Sequence, residues 1–583
     1  MLVKMNEIKN PFEYEAANNL SDEDIINYYI EDYNYSRFIR STKNIFLIGE
    51  RGSGKTMTLL YNSFRIQYKN CKINSSPVDY EKIGIHIPCN TPLFHKKEYQ
   101  LLNNEYQRFI ICEHFLVLSI LYAIADTISV SEELIEATEQ HRKEFLGELT
   151  YTWDAVFNNE APNFYEAIKQ YVNKETIDTQ KQINQYDSDS FYSGALSFSS
   201  TILPFLNILR RVDLLKNSHF MIMIDDAHDM NKYQIKTLNS WISFRDHSVF
   251  SFKVATAKIG RHIRTTSTEG IILEGHDFLT VDMEQELQNR ESTFSKWAKD
   301  IVTKRLQKAN ITIDPMAFFP ANADQVKQLE EYKEKARMEA ESKFGDNKKA
   351  INDYVYKYHR AMYFKERSDK ANKPPYAGFE TIVECSTGII RNLLDPCYWM
   401  FDNVVKNTPE NITCIPASIQ NQVIASRSQR LWNDLSEGLD TRIPNCSAEQ
   451  AQQIYSLFDK LMILFSQRLK ADISEPRAIV FSISALEEVG QKQRDELRTL
   501  LEISMKAQYM YMRRRSGKEK GTQVVLYVPN RMLFPARGLD VHGQFSHVSI
   551  KAGDLCNAAF RNKDIPSFVG VSNVEQLDLF SDL

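Results

Sequence analysis

The sequence predicts an α/β fold in which a parallel sheet is followed by a helical lid and then by a winged-helix domain. Short apolar runs with the length of buried strands alternate with longer helical patterns, as in βαβ units. A glycine-rich segment follows the first of these runs, at the strand end where parallel sheets bind ligands. The runs that predict strands are 44–48, 82–88, 220–224, 250–256 and 277–281.

The glycine-rich segment has the spacing G-x-x-x-x-G-K-[ST] of a phosphate-binding P-loop. Glycines let the backbone curl so that successive N–H groups point at an anion, and the next helix turns its positive end towards the same group. Lys55 is predicted to reach the β- and γ-phosphates, and the Thr56 hydroxyl to hold a magnesium ion. A chance glycine-rich turn is the alternative, and the strand before the motif and the helix after it count against it. The predicted nucleotide-binding residues are Gly49, Glu50, Arg51, Gly52, Ser53, Gly54, Lys55 and Thr56.

The composition is typical of a soluble globular protein, since 43% of the 583 residues are hydrophobic and 25% are charged. The formal net charge of −5 does not indicate nucleic-acid binding by the chain as a whole, so any basic surface must be local. We expect no apolar run near the roughly 20 residues that span a bilayer, and the N-terminus lacks the apolar core of a signal peptide. The eight cysteines are scattered without a Cys-x-x-Cys pair, which indicates reduced thiols and no zinc module. We therefore expect a cytoplasmic protein that has no membrane partner.

The length suggests three or four units of ordinary domain size. Helices are expected to begin at Ser21, at Leu203 and at Cys385, whereas the polar stretch 174–193 is expected to be a mobile loop. The stretch 322–372, rich in Lys, Glu, Asp and Tyr, is interpreted as a solvated helical hairpin inserted in the lid. The predicted divisions are a helical lead-in 1–40, a P-loop base 41–284, a helical lid 285–439, a winged-helix domain 440–560 and a flexible tail 561–583.

The strand predicted at 220–224 ends in two acidic residues. Asp225 is predicted to hold the magnesium ion through water, as a Walker-B carboxylate does. Asp226 stands where many ATPases place a glutamate that orients the attacking water, and its side chain is one methylene shorter. Hydrolysis is therefore expected to be slow or to depend on a partner that closes the site. The alternative is that the two aspartates only cap the loop after the strand.

Four further residues are candidates for contact with the transferred phosphate. Thr256 ends the strand 250–256 and is predicted to bind the γ-phosphate or the attacking water, although Ser and Thr are common at strand ends. Arg261 and Arg264 either reach the site of a neighbouring subunit in a ring or filament, or pair with surface acids. Arg391, in the first turns of the helix predicted from Cys385, is a candidate to touch the γ-phosphate in cis. The predicted catalytic residues are Lys55, Asp225, Asp226, Thr256, Arg261, Arg264 and Arg391.

The order of these parts resembles the AAA+ ATPases of the origin-recognition-complex/Cdc type, including bacterial relatives associated with mobile elements and phage defence. The resemblance implies an AAA+ parallel sheet with a helical lid, ATP and Mg²⁺ as cofactors, and a C-terminal winged-helix domain. As the assembly we expect a homo-oligomer or a hetero-complex with an effector protein. Asp226 and the long charged insertion depart from the pattern of the family. The segments that carry the resemblance are 10–12, 47–56, 224–227, 254–256 and 387–391.

A local excess of basic residues lies in the predicted winged-helix domain. Between Gln491 and Lys520, nine Lys and Arg residues oppose four Asp and Glu residues, a local charge of +5 (9 − 4). A helix in the major groove beside a basic hairpin on phosphate would bind DNA with salt-sensitive affinity and little sequence choice. The alternative is a winged-helix domain used for protein contacts, with a solvated hairpin. The predicted DNA-binding residues are Arg513, Arg514, Arg515, Lys518 and Lys520.

The tail contains Glu-Gln-Leu-Asp-Leu-Phe at 575–580, which resembles the Gln-Leu-x-Leu-Phe peptide with which bacterial proteins dock on the replicative sliding clamp. Such a peptide needs a glutamine for directed hydrogen bonds, apolar residues for a hydrophobic pocket, and a flexible tether. The alternative is an amphipathic end that folds back on the protein. The predicted clamp-binding residues are Gln576, Leu577, Leu579 and Phe580.

Together these features predict an ATP-dependent DNA-binding AAA+ ATPase of bacterial phage defence or mobile-element replication. ATP between base and lid would set their angle, and so decide whether the winged helix and neighbouring subunits engage DNA. Two alternatives stay open. One is a STAND-like regulatory switch that holds ATP and hydrolyses it little, and the other is a clamp-recruited adaptor whose ATPase fold mainly scaffolds.

Overall fold

The structure is a computed structural model that describes residues 9–13, 17–31, 35–184, 194–244, 248–258, 263–284, 291–367, 373–407, 412–471, 473–516, 523–543 and 546–567. The chain divides into two compact units. The base unit consists of Glu15–Gly49 and Gly54–Met283. The lid unit consists of Met1–Tyr14, Glu50–Ser53 and Glu284–Leu583. The finer domain boundaries expected from the sequence stay predictions.

The base unit is built on a five-stranded parallel sheet. Its strands are β1 (Ile45–Ile48), β2 (Lys82–Pro88), β3 (His219–Asp225), β4 (Phe250–Thr256) and β5 (Leu279–Asp282). The sheet has the order β2-β3-β4-β1-β5, and each neighbouring pair is parallel. Every residue of β3 is buried, as expected for a strand in the middle of a parallel sheet. The predicted α/β fold is confirmed.

The strand register aligns the carboxyl ends along one edge of the sheet. Ile48 pairs with Thr256 on one side and with Asp282 on the other, and Pro88 pairs with Asp225. Because these residues end the five parallel strands, the loops that follow them share that edge.

Helices accompany this sheet in the base unit. They are α1 (Asp22–Tyr28), α2 (Tyr35–Ile39), α3 (Lys55–Tyr61), α4 (Phe64–Ile73), α5 (Glu105–Ile128), α6 (Glu132–Glu139), α7 (Arg142–Trp153), α8 (Phe164–Asn184), α9 (Phe198–Leu209) and α10 (Lys232–Ile242). The expected helix start at Ser21 is confirmed, since its side chain accepts a hydrogen bond from the Asp24 N–H.

Helix α5 corrects the expectation that no apolar run is long enough to span a bilayer. It has 24 residues, and an 18-residue window in it has a mean hydropathy of 1.8. Within the protein 67% of that window is buried, where Phe115, Leu118 and Leu121 belong to the core of the base unit. The run is not obvious in the sequence because Glu113 and His114 interrupt it.

Two loop and helix assignments from the sequence are also wrong. Helix α8 continues to Asn184, so 174–184 is helical, whereas 185–193 lies outside the described residues. Its polar composition reflects a helix with a narrow buried face, on which Thr179 is fully buried. Helix α9 begins at Phe198 and not at Leu203, because Ser197 caps it by accepting from the Ser200 N–H.

One histidine is sealed inside the core of the base unit. The ring of His114 on α5 has no exposed surface. Its Nδ1 accepts a hydrogen bond from the Leu196 N–H at 2.9 Å, and its Nε2 lies 2.9 Å from the Thr179 hydroxyl. Since Nδ1 accepts, the neutral ring carries its proton on Nε2. Burial lowers the pKa of His114 to about 3.

The lid unit is mainly helical. Its helices are α11 (Glu291–Lys308), α12 (Pro315–Phe318), α13 (Ala323–Phe344), α14 (Lys348–Arg367), α15 (Phe379–Cys385), α16 (Ile390–Asn407), α17 (Ala417–Ser436), α18 (Leu439–Arg442), α19 (Ala448–Lys470), α20 (Gln491–Lys506) and α21 (Ala552–Arg561). The prediction that a helix begins at Cys385 is wrong, because Cys385 ends α15. Thr387 and Gly388 then turn the chain, with φ of 56° and 81°. Helix α16 therefore begins at Ile390.

The N-terminal segment 10–12 is anchored in the lid unit. Phe12 is fully buried and packs against the rings of Phe318, Phe319 and Phe401. The side-chain amide of Asn10 donates to the Tyr398 carbonyl at 2.9 Å. These contacts tie the start of the chain to α12 and α16.

Helices α13 and α14 form the expected hairpin, which is packed internally and anchored at its base. Ala336, Ala340, Ile351 and Val355 make a small apolar cluster between the two helices. Arg360 on α14 donates two hydrogen bonds to the carboxylate of Asp540, at 2.8 and 2.7 Å, and Asp540 is almost fully buried. Burial alone would raise the pKa of Asp540, but the Arg360 charge and hydrogen bonds hold it at about 2. The insertion is therefore more than a solvated surface helix pair.

The C-terminal part of the lid unit contains a second sheet. Its strands are β6 (Phe481–Ser484), β7 (Met510–Ser516), β8 (Gln523–Pro529) and β9 (Val548–Lys551), in the order β7-β8-β6-β9. Helix α20 precedes β7, and β7 pairs antiparallel with β8. The predicted succession of helix, strand and strand is thus present, and its assignment as a winged helix stays a prediction. The hairpin turn 517–522 lies outside the described residues.

Acid is expected to destabilise the base unit through His114. In the unfolded chain this ring binds a proton near pH 6.5, whereas its pKa in the fold is about 3, so the unfolded state binds more protons between these values. The contribution to stability is complete above about pH 6.5 and falls by about 1.4 kcal/mol for each pH unit below it. The free energy of unfolding, measured with urea at several pH values, should depend on pH less steeply in H114N than in the wild type. The difference in slope should correspond to one proton.

The asparagine of H114N can still accept the hydrogen bond from Leu196. H95N, which replaces an exposed histidine of the same unit, should keep the wild-type slope. Equal pH slopes for H114N and wild type would contradict this assignment.

Replacing Arg360 with methionine is expected to destabilise the lid unit by roughly 3–5 kcal/mol, because a buried carboxylate loses its bidentate partner. Chemical denaturation followed by tyrosine and tryptophan fluorescence measures the loss. R337M on the same hairpin is the matched control, since Arg337 pairs with Glu334 on the exposed surface and its removal should hardly shift the midpoint. The double variant R360M/D540L should recover part of the loss, and a double variant no more stable than R360M would argue against a stranded charge.

Candidate functional site

The P-loop connects β1 to α3, as the sequence predicts. Strand β1 ends at Ile48, and α3 begins at Lys55. Gly52 and Gly54 have φ of +90° and +99°, in the left-handed region that side chains disfavour. A Cβ atom built on Gly52 would also lie 2.8 Å from the Cβ of Arg391. The backbone path therefore requires glycine at both positions.

Four P-loop residues, Glu50–Ser53, belong to the lid unit and make contacts within it. The Glu50 N–H donates to Glu284 Oε1 at 2.6 Å, and the side-chain amide of Gln508 donates to the Arg51 carbonyl at 2.7 Å. Arg391 lies in the first turn of α16 against Gly52. Its predicted contact with a γ-phosphate stays a prediction.

Lys55 begins α3 and is almost fully buried. Its ammonium nitrogen donates to the Gly49 carbonyl at 2.7 Å, so the charge lies at the first residue of the P-loop. A buried ammonium at this place attracts anions strongly, because little water screens it.

Asp225 ends β3 with its side chain fully buried. Its Oδ1 accepts a hydrogen bond from the Asp226 N–H at 3.0 Å, and its Oδ2 lies 3.2 Å from His86 Nε2. Thr56 is a third hydrogen-bond partner of the carboxylate. Burial alone would raise the pKa of Asp225, but hydrogen bonds from His86, Thr56 and the Asp226 N–H hold it below its usual value. The structure thus brings the two predicted magnesium ligands, Thr56 and Asp225, together.

Asp226 differs from its neighbour in backbone and in charge. Its φ of 55° is in the left-handed region, which aspartate adopts more readily than most residues. Burial and the negative charge of Asp225 raise the pKa of Asp226. The carboxyl group is therefore a better proton acceptor than an ordinary aspartate.

The side chains present fit a nucleoside triphosphate and a divalent metal. The Ser53 hydroxyl is buried and makes no hydrogen bond within the part of the chain that the structure describes, so it is available to a phosphate oxygen. Lys55 would hold the β- and γ-phosphates, and Thr56 and Asp225 offer the oxygen ligands that Mg²⁺ prefers.

The other predicted phosphate contacts are less closely grouped. Thr256 ends β4 and pairs with Ile48, the residue that precedes the P-loop on the neighbouring strand β1. The Arg264 guanidinium lies over the rings of Phe46 and Phe278, with its central carbon 5.2 and 4.5 Å from their centres. Burial lowers the pKa of Arg264. This packing accounts for Arg264 within the base unit, and its action in a neighbouring subunit stays a prediction. Arg261 lies outside the described residues.

The predicted DNA-binding residues of β7 do not have the same surroundings. Arg513 Nη2 donates to the Thr387 carbonyl at 2.6 Å, which ties β7 to the turn before α16. Arg514 and Arg515 are exposed. Lys518 and Lys520 lie in the turn outside the described residues, as do the predicted clamp-binding residues Gln576, Leu577, Leu579 and Phe580.

Two groups at the carboxyl edge of the sheet were missed in the sequence. His86 on β2 contacts Asp225, and the Lys258 ammonium pairs with Asp282 at 2.7 Å, with both side chains nearly buried. β4 and β5 flank β1 in the sheet, so this ion pair bridges strands on either side of the P-loop strand. The sequence signal that could have identified His86 is a histidine placed between the apolar residues Ile85 and Ile87 of a strand.

Comparisons with known proteins identify the family of the chain. The family model described as ORC-CDC6-like matches residues 10–550, which is nearly the whole chain. Among solved structures, the Walker-type ATPase paby2304 of Pyrococcus abyssi is similar with 11% sequence identity and a TM-score of 0.33. That match covers 91% of this chain and 99% of the other. No curated protein matches the chain.

Membership of this family implies nucleotide binding with a divalent metal. The matched span and the P-loop at the edge of a parallel sheet lead to one conclusion. The chain belongs to the ORC-CDC6-like family and is an ATPase of the AAA+ type.

Proposed function

We propose that this ATPase binds ATP with Mg²⁺ at the P-loop and uses the ATP cycle to control how the β7–β8 hairpin engages DNA. The observation that carries the proposal is the group formed by the buried side chains of Lys55 and Asp225 and by Thr56, which is hydrogen-bonded to the Asp225 carboxylate. It supplies a cation for phosphate and oxygen ligands for a metal within one unit of the protein.

Each side chain of the site has a proposed part in hydrolysis. Lys55 binds the β- and γ-phosphates, and Thr56 and Asp225 hold Mg²⁺, which when bound neutralises charge that develops on the phosphate oxygens. Asp226 orients a water molecule and accepts its proton as the water oxygen bonds to the γ-phosphorus. The bond from that phosphorus to the β–γ bridging oxygen breaks, and ADP and phosphate leave. Thr256 and Arg391 are proposed to contact the γ-phosphate.

Binding of DNA is supported by the exposed arginines of β7. Arg514 and Arg515 are adjacent exposed residues on an edge strand, where their positive charges are accessible to phosphate groups. Arg513 is assigned to anchoring, because it bonds the Thr387 carbonyl four residues before Arg391. This hydrogen bond links the β7–β8 hairpin to the turn before α16, the helix that carries Arg391.

A slow switch that retains ATP is the second candidate, and Asp226 favours it. An aspartate reaches one methylene less far than glutamate, and the left-handed backbone at this residue restricts where its carboxyl can point. Turnover that stays slow in the presence of duplex DNA would select this candidate over the first.

Three further parts of the proposal rest on the sequence and the family likeness. The tail peptide with Gln576, Leu577, Leu579 and Phe580 is proposed to bind a bacterial sliding clamp. The assembly is proposed to be a homo-oligomer or a complex with an effector protein in the cytoplasm. The biological setting is proposed to be phage defence or mobile-element replication.

Asp226→Asn is expected to keep ATP binding and to lower turnover by roughly 100-fold or more, because it removes the proton acceptor without removing a phosphate contact. Binding of a fluorescent ATP analogue and steady-state phosphate release separate the two effects. Lys55→Ala should instead weaken binding itself by roughly 10- to 100-fold, since one charge-assisted hydrogen bond is lost. Turnover by D226N at the wild-type rate would remove Asp226 from the mechanism.

R514A/R515A is expected to weaken duplex binding and to flatten its salt dependence. Each phosphate contact that is lost should reduce the slope of log affinity against log salt concentration by about 0.9. Fluorescence anisotropy of labelled duplex over a series of KCl concentrations, with ATP present, measures both quantities.

K348A/K349A removes the same charge from two adjacent exposed lysines of the lid unit and serves as the control. If the two double variants lose equal affinity, general charge attraction explains the binding and the β7–β8 hairpin is not the DNA contact.

A further inference from the structure

A histidine that the family comparison does not assign lies against the buried carboxylate of the nucleotide site. His86 belongs to β2, and its side chain is 11% exposed, whereas that of Asp225 is 0% exposed. Its Nε2 lies 3.2 Å from Asp225 Oδ2. Both residues belong to the base unit.

The sheet register places this histidine next to the carboxylate. Strands β2 and β3 are parallel neighbours, and Pro88 pairs with Asp225 while His86 pairs with Met223. His86 therefore precedes the end of its strand by two residues, on the face it shares with Pro88. From there the ring reaches diagonally to the side chain that ends β3.

The direction of the hydrogen bond follows from the chemistry of the partners. The carboxylate of Asp225 is ionised and can only accept, so His86 Nε2 carries the hydrogen and donates. The Asp226 N–H donates to the other oxygen at 3.0 Å. Each oxygen thus has at least one donor, and Thr56 adds a third hydrogen bond to the carboxylate.

We infer that His86 is a positioning residue for the metal site: by donating to Oδ2 it fixes the rotation of the Asp225 carboxylate towards the place of the Mg²⁺ ion and its water. The inference rests on the proposed metal role of Asp225. Partners of this kind orient metal-binding carboxylates, and their removal typically costs 10- to 100-fold in metal affinity.

Burial explains why such a donor is needed, because the Asp225 side chain has no surface exposed to water. Without the hydrogen bond from His86, the Asp225 carboxylate would lose one of the donors that stabilise its charge, and in a buried site water does not replace that donor. The carboxylate could then turn towards other donors, away from the metal.

The test compares two substitutions of similar shape. His86→Gln keeps an N–H donor, and His86→Met removes it. Binding of a fluorescent ATP analogue is titrated with MgCl₂ and repeated in EDTA, and binding of Mn²⁺ is followed by electron paramagnetic resonance. For H86M we expect the Mg²⁺ concentration at half-saturation to rise about tenfold, with binding in EDTA unchanged, and for H86Q we expect values near wild type.

Several outcomes would overturn the inference. Wild-type Mg²⁺ dependence in H86M would remove His86 from the metal site, and tighter Mg²⁺ binding would mean that His86 competes with the metal. Equal losses in MgCl₂ and in EDTA would indicate a structural role only. Should H86M fail to fold, His86→Val, which suits a strand and also lacks a donor, replaces it.

Controls separate this inference from the proposed function. H276M replaces an exposed histidine of the same unit and should leave Mg²⁺ dependence unchanged. If the wild type itself shows no Mg²⁺-dependent nucleotide binding, the proposed function fails, and with it the inference. If the wild type is Mg²⁺-dependent and H86M matches it, only the inference fails.

Discussion

The site depends on one constraint: the carboxylate of Asp225 is fully buried at the end of the interior strand β3, so hydrogen-bond donors must stabilise its charge. A buried carboxylate is costly unless hydrogen-bond donors surround it. Here the donors come from three places, namely β2 through His86, α3 through Thr56, and the backbone that follows the strand. The order of strands in the sheet thus has a chemical consequence, because it decides which side chains can reach Asp225.

Much of the fold could be predicted from the sequence, and the reasons are local. Strand β4 was predicted with its observed bounds, and β3 to within one residue at each end, because their apolar runs are short and sharply bounded. The P-loop was predicted from glycine spacing, and Gly52 and Gly54 adopt the backbone angles that such spacing implies. These features need no information about distant parts of the chain.

What the sequence did not reveal depends on contacts between distant residues. His86 and Asp225 are far apart in the chain, and nothing in the sequence shows that β2 and β3 are neighbours. The sequence predicts a loop at 174–184, where the structure has a helix, because a narrow buried face around Thr179 leaves the composition polar. The sequence predicts the same DNA-binding role for Arg513, Arg514 and Arg515, and only the structure distinguishes the anchored Arg513 from the two exposed arginines.

The helical hairpin of α13 and α14 shows how an insertion can change without disturbing its host. Its fixed end is the buried Arg360–Asp540 pair, whereas the residues 341–349 around its far bend are exposed. Helical turns added or deleted at Gly345 would therefore alter reach and surface chemistry while leaving the anchoring pair intact. The size of the surface at this bend can therefore change independently of the packing around Asp540.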